Sequence, residues 1–140
     1  MQIRLRAPQD RSLLPSLFAA IDEALTSAGI DRALADDVQL VTEEVVCNAI
    51  DHGATPGAQH EVIVDITIDD DRIVLHFRDD GQPFDPLSQP EPDLDADIDS
   101  RPLGGLGVHL IRTLADEITY VRDDRHNVLH VVLLRSTAGA

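Results

Sequence analysis

Two runs in which apolar residues alternate with polar or smaller partners, joined by three aspartates, constrain this chain more than any other feature. Val62, Val64, Ile66 and Ile68 occupy every second position, Asp69-Asp70-Asp71 interrupts, and Ile73, Leu75 and Phe77 resume the same period. Successive side chains of a strand point to opposite faces, so each run makes a strand with one apolar side, and the acidic triplet turns the chain between them. The spacing elsewhere is helical. Leu13, Leu14, Leu17, Phe18, Ile21 and Leu25 form an amphipathic stripe from about Asp10, which Gly29 ends. A second helix is predicted from about Arg32 to Asp51, with Leu34, Val38, Val41 and Val45 on one stripe. Ile3 and Leu5 read as a short edge strand. Leu106, Leu110, Ile111 and Leu114 read as a third helix beginning near Val108, and Ile118–Arg122 with Val128–Leu134 as a closing hairpin.

A chain of 140 residues suits one domain, residues 1–140, with a sizeable core. Aromatics make up only 3% and tryptophan is absent, so that core is aliphatic. A formal charge of −15 argues against direct nucleic-acid binding and against anionic membranes, both of which recruit Lys and Arg. A protein partner with a basic patch fits better. One cysteine, Cys47, permits no internal disulfide and suits a reducing compartment. The N-terminus lacks a signal-peptide apolar core and no apolar run is long enough to cross a bilayer, so the expected location is the cytoplasm.

Three short segments carry chemistry. In the second helix Glu44 and Asn48 are four apart and share a face. An amide oxygen is a hard ligand acceptable to Mg²⁺, which keeps waters and phosphate oxygens as its other ligands. A carboxylate one turn away can take a proton from an attacking hydroxyl. Asp79-Asp80-Gly81-Gln82-Pro83-Phe84 follows the Ile73–Phe77 strand. There Asp79 can accept from an exocyclic amine such as adenine's, Gly81 lets backbone approach the base, and Phe84 can close over base or sugar. Gly104-Gly105-Leu106-Gly107 opens the third helix, where free N–H groups suit phosphates. Taken singly, these are also an exposed polar pair, an ordinary Asp-Asp-Gly turn and a glycine-rich loop. Between the second and third lies an acidic, proline-rich stretch, residues 85–102, that is not expected to hold regular structure. A stretch of this kind is commonly a functional lid.

Other chemistries fail on spacing. There is no Gly-Lys-Ser or Gly-Lys-Thr of a Walker loop, no complete dinucleotide fingerprint, and no Gly-x-Ser-x-Gly hydrolase elbow. His60-Glu61 is not continued to a second zinc-protease histidine. His126 and His130, four apart on a strand, are separated by roughly 13 Å and cannot chelate one ion.

In order, Glu44-x-x-x-Asn48-Ala49, Asp79-x-Gly81 and Gly105-x-Gly107 resemble the N, G1 and G2 boxes of the GHKL ATPase superfamily. With their flanks, Asn48-Ala49-Ile50-Asp51-His52-Gly53, Asp79 to Pro86 and Gly104 to Ile111, they resemble the anti-sigma-factor serine kinases of bacterial partner-switching systems. The resemblance covers nearly the whole chain. It implies an α+β fold, a two-layer sandwich whose mixed, mostly antiparallel sheet carries helices on one face. Asn48 would then coordinate Mg²⁺, Glu44 would be the general base, and Asp79 would read the adenine amine, with Gly81 giving the base room. Phe84, Arg101, Gly104, Gly105, Leu106 and Gly107 would complete the ATP site, and residues 85–103 would be its mobile lid. The implied acceptor is a serine on a STAS-type anti-anti-sigma partner, and the second partner is a sigma factor or similar regulator. A homodimer follows from the same analogy.

Two positions depart from the family pattern. Cys47 stands where a hydroxyl residue commonly precedes the metal-binding asparagine, and Leu103 where a basic residue often precedes the G2 glycines. Arg101, two residues earlier, would meet the terminal phosphate when the lid folds over. With so acidic a lid, nucleotide affinity is expected to be weak or conditional. The other readings are a nucleotide-dependent binding switch without turnover, a histidine-kinase catalytic module served by another chain, and an interaction domain that has lost ATP.

Overall fold

A computed structural model of the chain describes residues 1–8, 10–53, 60–88 and 105–135. The elements run β1 (Gln2–Pro8), α1 (Leu14–Ser27), α2 (Arg32–Gly53), β2 (Glu61–Ile68), β3 (Arg72–Asp79), α3 (Gly105–Leu114), β4 (Glu117–Asp123) and β5 (His126–Leu134). The strands form one sheet in the order β1-β2-β3-β5-β4. Each of the four described pairings is antiparallel, a more uniform sheet than the mixed one the resemblance implies.

Local chemistry sets the helix ends. Asp10 accepts from the Ser12 backbone N–H and hydroxyl, starting a short 3-10 turn over Arg11–Leu13 that leads into α1. The exit is a Schellman motif. The Gly29 N–H bonds to the Thr26 carbonyl, the Ile30 N–H reaches back to Leu25, and Gly29 takes φ +74°. Buried Ile30 lies against buried Leu25, the apolar contact that accompanies this cap. Asp31 then caps α2 through the Leu34 N–H at 3.1 Å.

Most of the predicted stripe residues are buried, but Leu13, in the turn before α1, is 40% exposed, and Phe18 and Leu34 are half-buried. Leu14, Leu17, Ile21 and Leu25 of α1 meet Val38, Val41, Val45 and Val46 of α2 in the same core as the even positions of β2 and the odd positions of β3 and β5. Register aligns these rows: Val64 opposes Phe77, which opposes Leu129, and Ile66 opposes Leu75, which opposes Val131. Burying each such side chain contributes about 1.5–3 kcal/mol, so one charge placed at Ile66 or Leu75 would open the layer. The opposite face of the sheet is polar at its centre. There Arg4 makes a two-pronged ion pair with Asp65 (2.7 and 3.1 Å), which neighbours His76 and, across β5, His130.

Register also decides where chemistry can sit. The rows that bury Ile73, Leu75 and Phe77 on β3 and Leu129 to Leu133 on β5 end in two polar residues, Asp79 and Asn127, directly opposed. They mark the end of the sheet where α2, passing over β3, leaves a cleft.

Candidate functional site

The cleft is lined by Val45, Asn48 and Ala49 of α2, Phe77 and Asp79 of β3, Phe84 and Pro86 of the following loop, Tyr120 of β4, and Asn127 and Leu129 of β5. Apolar walls with a few converging polar groups are the usual make-up of a small-molecule site. Three predicted site residues, Asn48, Asp79 and Phe84, are therefore brought together from segments distant in the sequence.

Asn48 is 7% exposed, and its Nδ2 is buried without a hydrogen-bond partner among the described residues. A buried amide left unpaired costs about 1–3 kcal/mol, so its presence in a cleft marks a group kept for something that binds there. Half a turn of the amide presents its oxygen instead. That oxygen suits a hard cation such as Mg²⁺ sharing its other ligands with phosphate and water. Among the described residues no three His, Cys, Asp or Glu side chains cluster to hold a metal.

Glu44, one turn earlier, is half-buried and does not line the cleft itself. Burial, and then the charge of Glu43, raise its pKa above the ordinary carboxylate value, the direction that makes a carboxylate a better base. Cys47 faces another way. Burial raises the pKa of its thiol, and the Arg11 guanidinium that also holds Asp51 lies 3.9 Å from its sulfur.

Asp79 is fixed through one oxygen. Its Oδ1 accepts from the Gly81 N–H at 3.0 Å and from Asn127 Nδ2 at 3.1 Å, while Oδ2 has no hydrogen bond among the described residues. Burial raises the pKa of the carboxyl, and the bonds from Asn127 and Gly81 pull against it. One oxygen locked and one free is the arrangement an acceptor needs to meet an exocyclic amine. Gly81 serves this geometry without a left-handed backbone: its N–H holds Asp79, and its carbonyl accepts from Arg122 at 2.8 Å.

The hub of the site is a residue the motifs do not contain. Asn127, 6% exposed, donates to Asp79 and to the Gln82 carbonyl (2.7 Å), and accepts from the Phe84 N–H (3.1 Å) and from the Tyr120 hydroxyl. It thus ties the whole acidic turn to β5. The available signal was an asparagine in the same alternation as Leu129, Val131 and Leu133, but the predicted strand began one residue later, at Val128. His52 is a second addition. It is the last polar residue on the α2 row of Glu44 and Asn48, and its ring stacks on Phe84 with centroids 4.3 Å apart and planes 6° from parallel. The contact joins α2 to the loop across one edge of the cleft.

α3 starts at Gly105, three residues earlier than the spacing predicts, so Gly105, Leu106 and Gly107 form its first turn rather than a loop before it. The N–H groups of a first turn have no partners within the helix, which keeps them available to an anion. Gly104 and Arg101 lie outside the described residues, as does the lid from residue 89 to 103. The start of that stretch is ordered, contrary to expectation. Asp85 accepts from the Leu87 N–H at 2.8 Å and caps a 3-10 turn over Pro86–Ser88, and Arg112 of α3 donates to the Leu87 carbonyl. A local side-chain cap outweighed the disordering composition.

The profile of the histidine kinase-like ATPase domain matches residues 7–133. The chain is 31% identical over 101 residues to the serine/threonine-protein kinase BtrW of Bordetella bronchiseptica, covering 71% of this chain and 68% of that one. It is 28% identical over 142 residues to the serine-protein kinase RsbW of Bacillus subtilis, covering 98% and 86%. A crystal structure of RsbU and RsbW domains from Mycobacterium tuberculosis superposes with a TM-score of 0.68 at 16% identity, over 97% of this chain and 33% of that one, a likeness of fold. No described helix is long and apolar enough to cross a membrane.

Proposed function

The chain belongs to the histidine kinase-like ATPase domain family, and from that premise we propose that it is an ATP-dependent protein serine kinase of the anti-sigma type, acting as a single domain. Its substrate is a serine on a STAS-type anti-anti-sigma protein, and its other partner is a sigma factor or a similar regulator. The observation that carries this reading is the pairing of buried, unpartnered Asn48 with half-free Asp79 across one cleft. Asp79 accepts the adenine amine, Asn48 holds Mg²⁺, and the first turn of α3 meets the phosphates. The serine kinases among its relatives support the same activity.

Phosphoryl transfer asks the protein for positioning and charge neutralisation more than for covalent chemistry. Mg²⁺, when bound, neutralises phosphate charge. Glu44 takes the proton of the attacking serine hydroxyl, and its raised pKa suits that task. Phe84 and His52 shield the base from water.

Incubation with labelled ATP, Mg²⁺ and a STAS-domain protein encoded nearby tests the proposal. Label on a partner serine, abolished by Glu44→Gln, is the expected result. Nucleotide-dependent binding of the partner without label would replace it with a switch that does not turn over.

A further inference from the structure

Behind the adenine cleft lies a second one that shares no lining residue with it. It holds about 270 Å³ and is bounded by His60, Asp80, Gly81, Gln82, Pro83, Arg122 and Arg125. That is room for several waters or one small ion with its shell.

Its charge runs against the rest of the molecule. The chain has 26 carboxylates for 11 basic residues. Arg4, Arg6, Arg11 and Arg32 each pair with an acid. Arg72, Arg78, Arg122, Arg125 and Arg135 make no ion pair with a carboxylate among the described residues, and of these Arg122 and Arg125 line this cleft. The His60 side chain is only 13% exposed; its Nδ1 lies 3.3 Å from Asp80 Oδ1, and its Nε2 has no hydrogen bond among the described residues. The one acid present is already engaged, since Asp80 Oδ1 accepts from the Glu61 N–H at 3.0 Å.

We propose that this cleft binds a phosphoryl group, and that its occupancy is read at the nucleotide cleft through Gly81. Two guanidinium groups and an imidazole line the cleft, a donor set that suits an oxyanion with several acceptor oxygens. Asp80 can accept the hydroxyl of a singly protonated phosphate. The coupling is geometric. Arg122 donates to the Gly81 carbonyl, and the Gly81 N–H fixes Asp79. A phosphate that draws Arg122 away loosens the peptide that orients the adenine acceptor. Each ligand then weakens the other by the same factor. The binding itself stands apart from the kinase reading; the coupling rests on it.

Titration of ¹⁵N-labelled protein with inorganic phosphate and, separately, O-phosphoserine at constant ionic strength tests the site. The expected result is amide shifts at Gly81, Gln82 and Arg125 for phosphate, weakened at least about fivefold by Arg125→Ser. If O-phosphoserine produces the same shifts, the group is recognised on a protein side chain; phosphate alone identifies a free-phosphate site. Shifts confined to Gly105–Val108, or unchanged by Arg125→Ser, would overturn the proposal. Adenosine, which carries no phosphate, reads the coupling: saturating phosphate should weaken its binding about threefold in the parent chain and not in Arg125→Ser. Equal adenosine affinity with and without phosphate would remove the coupling. Failure of adenosine to bind at all would count against the nucleotide reading and leave the phosphate arm intact.

Discussion

Asp79 and Asn127 sit directly opposite each other on β3 and β5, and the amide of Asn127 donates to the carboxylate of Asp79 at 3.1 Å. Both lie on the sheet face that elsewhere buries only apolar side chains of these two strands. The pair therefore spends core area on polarity, which a stable fold tolerates only where every bond is made.

Replacing Asn127 with Leu keeps the size and deletes four bonds. The Phe84 N–H, the Gln82 carbonyl and the Tyr120 hydroxyl each lose a bond, and of its two side-chain bonds Asp79 keeps the one from Gly81. The expected cost is about 2–4 kcal/mol of stability by urea denaturation. Adenosine affinity, measured by calorimetry, should fall at least about tenfold. Unchanged affinity would mean that Asp79 needs no second holder.

Glu44 links stability to pH. Its folded pKa lies above the ordinary carboxylate value, so the folded chain keeps this proton to higher pH than the unfolded chain does. That contribution to stability is complete below the unfolded pKa and is lost as pH rises through the folded one. Glu44→Gln should therefore gain stability relative to the parent chain between about pH 4 and pH 7 in thermal melts. A constant difference across that range would show that the carboxyl titrates alike in both states.

Phe84 stacks on His52 at the edge of the cleft. Phe84→Ala removes the stack and one apolar wall, with an expected loss of about 1–3 kcal/mol in nucleotide binding. Most of it should appear as faster dissociation in stopped-flow measurements. His52→Ala should reproduce part of the effect, because Phe84 would keep its contacts with the pocket.

Gly29 isolates a backbone effect. Its φ is +74°, and a Cβ added there would meet no atom within 4 Å. Gly29→Ala should destabilise by about 1 kcal/mol through strain alone, read from the denaturation midpoint with the slope unchanged.

Much of this molecule is legible in its residues. The alternation of Val62–Ile68 and Ile73–Phe77 fixes both strands and their buried faces, because a slip by one would turn Val62, Val64, Ile66, Ile68, Ile73, Leu75 and Phe77 to solvent. The α1 and α2 stripes and the Gly29 stop are equally local. Glu44, Asn48 and Asp79 are legible as types at known spacings. The site's other half is not. Asn127 matters only because the register sets it against Asp79 from 48 residues away, and His52 only because a loop folds back over it. The spacing places the start of α3 too late because glycine lowers helix propensity, so Gly105 and Gly107 read as loop although the helix begins at Gly105.

The strand order has a further consequence, for the timing of synthesis. β5 follows every other described element in the chain yet lies between β3 and β4 rather than at an edge. Asn127 therefore cannot reach Asp79 until β5 has been synthesised, after every other described element of the sheet. Until then β3 presents an open edge to the cell, and a nascent chain that already carries Asn48, Asp79 and the α3 glycines has no place for a nucleotide. Binding competence thus arrives with the final strand, in one step.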